Sequence, residues 1–460
     1  MSAKLNPKLS ARTNRKESEM KEVADGRIIG IVHRVKFTAD GEARPTKVAI
    51  ADWSGKVIAK YDLETETDEL DFMLGRYPLA YGEVASDEDI SQIDSRHIKW
   101  RKAKEGEVAG LHPSQVIVVE KKLQRAVSKP IRFGGLQAGD TVVMSLGGSG
   151  DRFAFAINNY GKTKGINVLR IQPADLKDNR KSDKIEDHLE LVRLYCDYPE
   201  LFYRVTERDE MLIRIKFAFD MRMRAMKDRI ACGQRLEQML IGKIFLSTEG
   251  CYPEGTIEDL LIAEQANDLI YQGFVEQEKN RNKELEKLIN QLDIYQELFS
   301  EITGLGTRIC ASLLAYIGDI RRFSSSAKFK MYCGVAPNND GGFIRKKRGQ
   351  RQSWRPEIRQ ALFLFADQCN RRPESEWGRR FLEEKARLRE KYPEVVVEQR
   401  PDPDHPGKLK KVKLFTDGHI HNKARWHLLG QFCDDLYGKW TAFYDEKKID
   451  SDSESESAAA

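Results

Sequence analysis

The sequence predicts an α/β domain followed by an all-α region, and three observations carry that expectation. Short β-branched runs fill the first 200 residues and alternate with helical patterns. From about 207 to 299, apolar residues recur at three- and four-residue spacing, as on the face of long helices. A basic, glycine-punctuated helical segment follows. The 460 residues suffice for two or three domains.

Residues 1–25 are polar and basic without periodicity, and read as a flexible arm. Strands are expected at 27–32, 46–55 and 56–61, the last two joined across Ser54-Gly55, which makes a β-meander. A charged, poorly patterned stretch at 78–113 reads as an insertion. Further strands are expected at 115–119, 140–145 and 165–171, with helices at 152–160 and 184–195, completing an α/β domain over 26–200. A long helix is expected from 207 to about 245, carrying Met211, Ile215, Phe219, Met223 and Met226. After the Pro/Gly-rich loop near 250–255, a second runs from about 257 with Leu285, Leu288, Leu292, Tyr295 and Phe299 at heptad-like spacing. The pair forms an antiparallel hairpin over 207–298, which either packs on its own domain or serves as a coiled-coil spacer or dimer interface. The acidic stretch 446–460 reads as a disordered tail.

Composition excludes several classes. The longest apolar run of note, 361–366, is six residues, so no segment spans a membrane, and the N-terminus lacks the apolar stretch of a secretory signal; a cytoplasmic protein is expected. The seven cysteines show no C-x-x-C spacing and read as reduced, mostly buried thiols. His419 and His421, without a nearby third ligand, read as part of a polar strand or turn rather than a metal site.

Net charge is +5, but its distribution is uneven: 321–360 holds eleven Lys and Arg against Asp340 and Glu357. That density is the footprint of a phosphate-backbone partner. Just upstream, Gly304-Leu305-Gly306-Thr307 stands between two helical patterns, as in a helix-hairpin-helix, where glycines admit a phosphate close to the backbone and helix N-terminal amides point at it. Candidate DNA contacts are therefore Gly304, Gly306, Thr307, Arg345, Lys346, Lys347, Arg348, Arg351 and Arg355.

The run 298–323 with 327–337, ending in Gly334-Val335-Ala336-Pro337, resembles the C-terminal domain of the DEDD-type insertion-sequence transposases, the group related to the Piv invertases in which a bridge RNA guides recombination. Residues 142–150, 168–177 and 181–187 resemble the later half of that family's RuvC-like, ribonuclease-H-fold domain, and 418–425 a terminal segment of one branch. The resemblance implies an N-terminal RuvC-like domain over 26–200 and a DNA-binding transposase domain over 299–445. It also implies DNA and a structured guide RNA as partners and Mg²⁺-dependent strand cleavage and rejoining by two metals between carboxylates; a homo-oligomer is expected from the long apolar stripes of the hairpin. The first-strand and middle-strand carboxylate positions fall on Val32 and Ser145, neither of which is an acid. Asp183 and Glu186, three apart on one helical face, remain as candidate Mg²⁺ ligands with Asp187 beside them; Asp52 or Glu120, at strand ends, are the possible substitutes. The family's nucleophilic serine falls in 338–343, which has none; Ser353 is the nearest hydroxyl on the basic segment, with helix N-capping as its competing role. Two functions follow: an active transposase-type recombinase, or a catalytically silent relative that retains nucleic-acid binding. A repair-associated scaffold borrowing the helix-hairpin-helix is a weaker third.

Overall fold

The computed structural model describes residues 26–34, 43–104, 106–145, 150–205, 207–249, 253–337, 354–401 and 409–458. The chain divides into two compact units, Met1–Val205 and Thr206–Ala460.

The first unit is built on a six-stranded sheet. β1 (Ile28–Val32), β2 (Thr46–Ala51) and β3 (Val57–Leu63) form the expected antiparallel meander, followed by α1 (Glu66–Met73). Thr65 and Asp68 close a reciprocal capping box at the start of α1. β8 (Thr141–Ser145), α2 (Asp151–Gly161), β9 (Asn167–Ile171), α3 (Pro173–Asp178), α4 (Asp187–Asp197) and β10 (Phe202–Arg204) complete it. The order is β10-β9-β8-β1-β2-β3; β1, β8 and β9 run parallel, and β10 is antiparallel to β9. Both faces of the central strands are covered, which is why they read as unbroken apolar runs. Ile29, Ile31, Val142 and Met144 pack under Phe72 of α1 and Phe153 and Ile157 of α2. Ile28, Ala49 and Val143 pack under Leu191, Val192 and Leu194 of α4.

The inserted segment is larger than the 78–113 expected from its charge. β4 (Tyr77–Glu83), β5 (Lys99–Lys102), β6 (Val116–Val119) and β7 (Lys122–Gly134) form a separate sheet, β4-β7-β5 with β6 also on β7, around a small core of Ile90, Ile98 and Ala126. The run at 115–119 is therefore a hairpin arm of the insertion, not a strand of the main sheet. Its turn residues Glu120 and Lys121 take positive φ, 49° and 64°, as a two-residue hairpin turn requires.

In the second unit α5 (Glu207–Phe245) is the expected long helix. The helix expected to run on from 257 is broken into α6 (Ile257–Asn267), α7 (Leu269–Ile289) and one π turn, Tyr295–Phe299. Asp268 causes the first break: with ψ of 112° it leaves the helical region and caps α7 by accepting from the Tyr271 N–H at 2.6 Å. α5 and α7 are antiparallel, tied by Arg222–Glu278 at 3.1 Å and Arg229–Glu278 at 2.6 Å. Leu285, Leu292 and Phe299 of the heptad-like stripe are buried against Leu212, Ile215 and the following helices of the same unit.

Those helices are α8 (Thr307–Ile317), α9 (Ser326–Cys333), α10 (Pro356–Arg371), α11 (Glu376–Lys391) and α12 (Asp417–Ala458); β11 (Val396–Pro401) and β12 (Leu409–Leu414) form a two-stranded ribbon between α11 and α12. Phe365 of α10 and Phe432 of α12 meet at 4.4 Å between ring centres, with Trp377 edge-on to Phe432. His419 and His421 are helical residues of α12, not a strand or turn. α12 is helical to Ala458, through the acidic segment. Cys232, Cys310, Cys333, Cys369 and Cys433 are buried free thiols, and Cys196 is exposed. Among the described residues, no helix is long and apolar enough to cross a membrane.

Candidate nucleic-acid interface and strand-edge site

Gly30 sets the geometry of the strand edge. A Cβ there would lie 2.1 Å from the His188 carbonyl oxygen, so only glycine lets α4 lie directly on β1. β1 and β8 are parallel neighbours with Ile31 opposite Met144, which places Val32 and Ser145 side by side at the C-terminal edge. Alternation along β1 puts Val32 with Ile28 on the α4 face.

Asp183 and Glu186 are not on the expected helix. Asp183 precedes a 3₁₀ turn, Lys184–Glu186, and α4 begins only at Asp187. Asp183 is exposed, and Glu186 lies 3.9 Å from His188 Nε2. Asp187 is buried and held by the Arg180 guanidinium, whose Nε and Nη2 donate at 2.6 and 2.8 Å; it reads as the anchor of the turn onto α4. His188 is 3% exposed and its Nδ1 has no hydrogen-bond partner. Burial holds its pKa below the usual histidine value despite the opposing pull of Glu186, so at neutral pH it is uncharged. Among the described residues no group of three or more His, Cys, Asp or Glu is placed to hold a metal ion.

Neither substitute acid reaches this edge. Asp52 follows β2, which is antiparallel to β1, and Ala51 pairs with Ile28, so Asp52 lies at the opposite end of the sheet. There its carboxylate accepts from Ser54 Oγ at 2.6 Å and from the Ser54 and Lys56 amides at 3.0 Å, and these bonds, the Ser54 hydroxyl first, hold its pKa low. Glu120 sits in the hairpin of the inserted sheet. A polar cluster not anticipated from the sequence covers the other face of the edge: Glu69 of α1 accepts from Thr46 Oγ1 at 2.5 Å and lies 3.3 Å from His33 Nε2. The acidic i, i+3 pattern of α1, Glu66 and Glu69, is its only sequence trace.

In the second unit, Gly304 takes φ of 96°, and a Cβ there would lie 3.3 Å from Gln368 Cβ, so this glycine also serves packing on α10. Gly306 caps α8 with no side chain to cap it, leaving the first amides, from Thr307 on, without a side-chain acceptor. The element before this turn is the π turn, not the first α-helix of the expected pair. Arg345, Lys346, Lys347, Arg348, Arg351 and Ser353 lie outside the described residues. The stem of that segment is fixed. The Arg355 N–H donates to the Tyr332 carbonyl at 2.9 Å, and the Trp354 ring lies against Gly334, where a Cβ would meet it at 2.7 Å. Arg355 itself stands at the N-cap of α10, and its guanidinium lies 5.3 Å over Tyr316. Arg359 contacts the rings of Trp354 and Trp426 at 5.0 and 4.5 Å, and Arg322 lies 4.8 Å over Tyr332. Part of the local positive charge is spent internally: Arg321 pairs with Asp319 and Asp209, and Lys330 with Asp434.

Fold and site define a mixed α/β and helical protein whose C-terminal unit places Arg322, Arg355 and Arg359 on aromatic rings. Residues 296–383, from the π turn into α11, match the model of the Transposase IS116/IS110/IS902 family. A search of curated proteins found no match.

Proposed function

We propose that this chain is a transposase-family protein that binds DNA through its C-terminal unit and whose N-terminal unit is a RuvC-like, ribonuclease-H-type domain with an incomplete metal site. The meander, the parallel β1, β8 and β9, and α4 laid across β1 support the domain reading. The observation that carries the functional reading is the adjacency of Val32 and Ser145 at the strand edge, where the family resemblance calls for two of the four carboxylates. The residues present do not fit a two-metal cage: Asp187 is committed to Arg180, and Asp183 and Glu186 are a pair without a third acid among the described residues. Magnesium holds its waters tightly and gains little from two carboxylates. The basic segment at 345–351, the arginine–aromatic contacts of its stem and the family match support DNA as partner, with a structured RNA as the second partner the resemblance brings. The reading is tested with labelled duplex and branched DNA in EDTA and in Mg²⁺: binding equal in both, without cleavage products, supports it. Product that requires Mg²⁺ would favour the second reading, strand cleavage, for which Asp183, Glu186 and Ser353 are the candidate residues.

A further inference from the structure

The β11–β12 ribbon is an element the family match does not reach, since that match ends at residue 383. Its two feet are held firmly. Tyr392, before β11, and Phe415, after β12, stack face to face with ring centres 4.0 Å apart and planes within 4°. Arg389 of α11 donates from Nη1 to the carbonyls of both, at 3.3 and 3.0 Å, and pairs with Asp417 at the start of α12. Phe415 takes φ of 57°, a conformation unfavourable for a bulky side chain that this clamp maintains.

The ribbon so held buries little. Cross-strand pairs are Val397↔Lys413, Gln399↔Lys411 and Pro401↔Leu409 on one face, and Val396↔Leu414, Glu398↔Val412 and Arg400↔Lys410 on the other. On the first face Val397, Gln399, Leu409, Lys411 and Lys413 are all exposed; on the second Val396, Glu398 and Lys410 are exposed and Val412 and Leu414 half-buried. The face turned outward thus carries two lysines and a glutamine between two aliphatic side chains. The ribbon's acid, Glu398, is on the other face, with Arg400 and Lys410. A two-stranded ribbon alone is marginally stable in water, and an exposed strand pair with apolar positions is costly to leave without a partner.

We propose that the face of the ribbon bearing Gln399, Lys411 and Lys413 lies in the major groove of duplex DNA and contacts base edges there. The major groove of B-DNA admits a two-stranded ribbon; lysine matches the guanine O6 and N7 acceptors, glutamine matches adenine N6 and N7, and an aliphatic side chain suits the thymine methyl. The lysines also complement the phosphates at the groove walls. The deep, narrow major groove of an RNA duplex does not admit such an element, which separates DNA from RNA as occupant. The inference rests on the DNA-binding reading above and adds to it where, and through which chemistry, the duplex is touched.

The test measures anisotropy of the full chain with a labelled random-sequence DNA duplex, its 7-deazapurine counterpart lacking the N7 acceptors, and an RNA duplex of equal length. The wild type should prefer the natural DNA duplex over both others by at least about fivefold, the lower bound for losing one good base contact. The Q399A/K411A/K413A variant should lose that preference. K283A/K287A, which removes two exposed charges from α7, should keep it. Equal binding of natural and deaza duplexes by the wild type, equal binding of RNA, or retention of the preference by the triple variant overturns the ribbon proposal and leaves DNA binding standing. No duplex binding by the wild type overturns the DNA-binding reading and the ribbon proposal with it. Full binding of the wild type to the deaza duplex would be decisive even if the triple variant failed to fold.

Discussion

Replacing Gly30 by alanine tests the placement of α4 at its most sensitive point. The added Cβ would lie 2.1 Å from the His188 carbonyl oxygen and 3.0 Å from Val192 Cγ2, and the first of these is backbone, which cannot rotate away. α4 must therefore retreat from β1 by more than an ångström, loosening Leu191, Val192 and Leu194, each 1% exposed or less. Overpacking of this kind costs about 1–3 kcal/mol, and a backbone clash belongs at the upper end, about 3 kcal/mol. For a unit of this size 1 kcal/mol shifts the melting point by about 2–4 °C, so the first unit's transition should fall by about 6–12 °C. Hydrogen exchange localises the effect: amides of α4 and β1 should lose protection, while α8 and α10 in the other unit should not. Gly242→Ala is the control, because a Cβ there meets nothing within 4 Å and alanine favours the helix; it should stabilise by about 1 kcal/mol. Unchanged α4 protection in Gly30→Ala, with a shift below about 2 °C, would refute the packing on which the strand-edge argument stands.

Two further outcomes follow from charge. Burial alone would raise the Glu69 pKa, but the hydrogen bonds from His33 and Thr46 outweigh it and hold it below 4.5. The carboxylate therefore contributes stability that is present above about pH 4.5 and lost as pH falls through the lower folded-state pKa. Glu69→Gln should flatten that acid limb in a pH series of melting points; an unchanged limb would remove the assignment. Converting Arg345, Lys346, Lys347 and Arg348 to alanine should reduce the salt slope of DNA binding by about 3.6 if each neutralises a phosphate, and an unchanged slope would take the basic segment out of the interface.

Much of the fold was legible because its strands and helices are locally consistent. β1, β8 and β9 are β-branched runs buried on both faces, and α5 carries a three-four apolar spacing over its whole length. The inserted sheet was not legible beyond β6, because β4, β5 and β7 mix Lys and Arg with exposed apolar residues around a core of only a few side chains. The break at Asp268 was hidden by continuous helical periodicity on both sides, and its signal is an N-cap acid three residues before Tyr271. The acids near α4 were misplaced for a similar reason: Asp183 and Glu186 keep helical spacing but belong to a 3₁₀ turn that Arg180 ties to Asp187. The ribbon had a readable trace, Val395-Val396-Val397 and the alternating Leu409–Leu414 around a Pro- and Gly-containing stretch. Its clamp, which depends on Arg389 meeting carbonyls on both sides, had none.

Mg²⁺ titration of the parent and of V32D/S145E by calorimetry measures whether the strand edge is a carboxylate site with two members replaced. With Asp183 and Glu186 as the remaining candidate acids, the doubly substituted protein should bind Mg²⁺ measurably more tightly than the parent, and adding Asp183→Ala should remove the gain. Equal Mg²⁺ affinity in parent and V32D/S145E would show that Val32 and Ser145 do not stand at carboxylate positions.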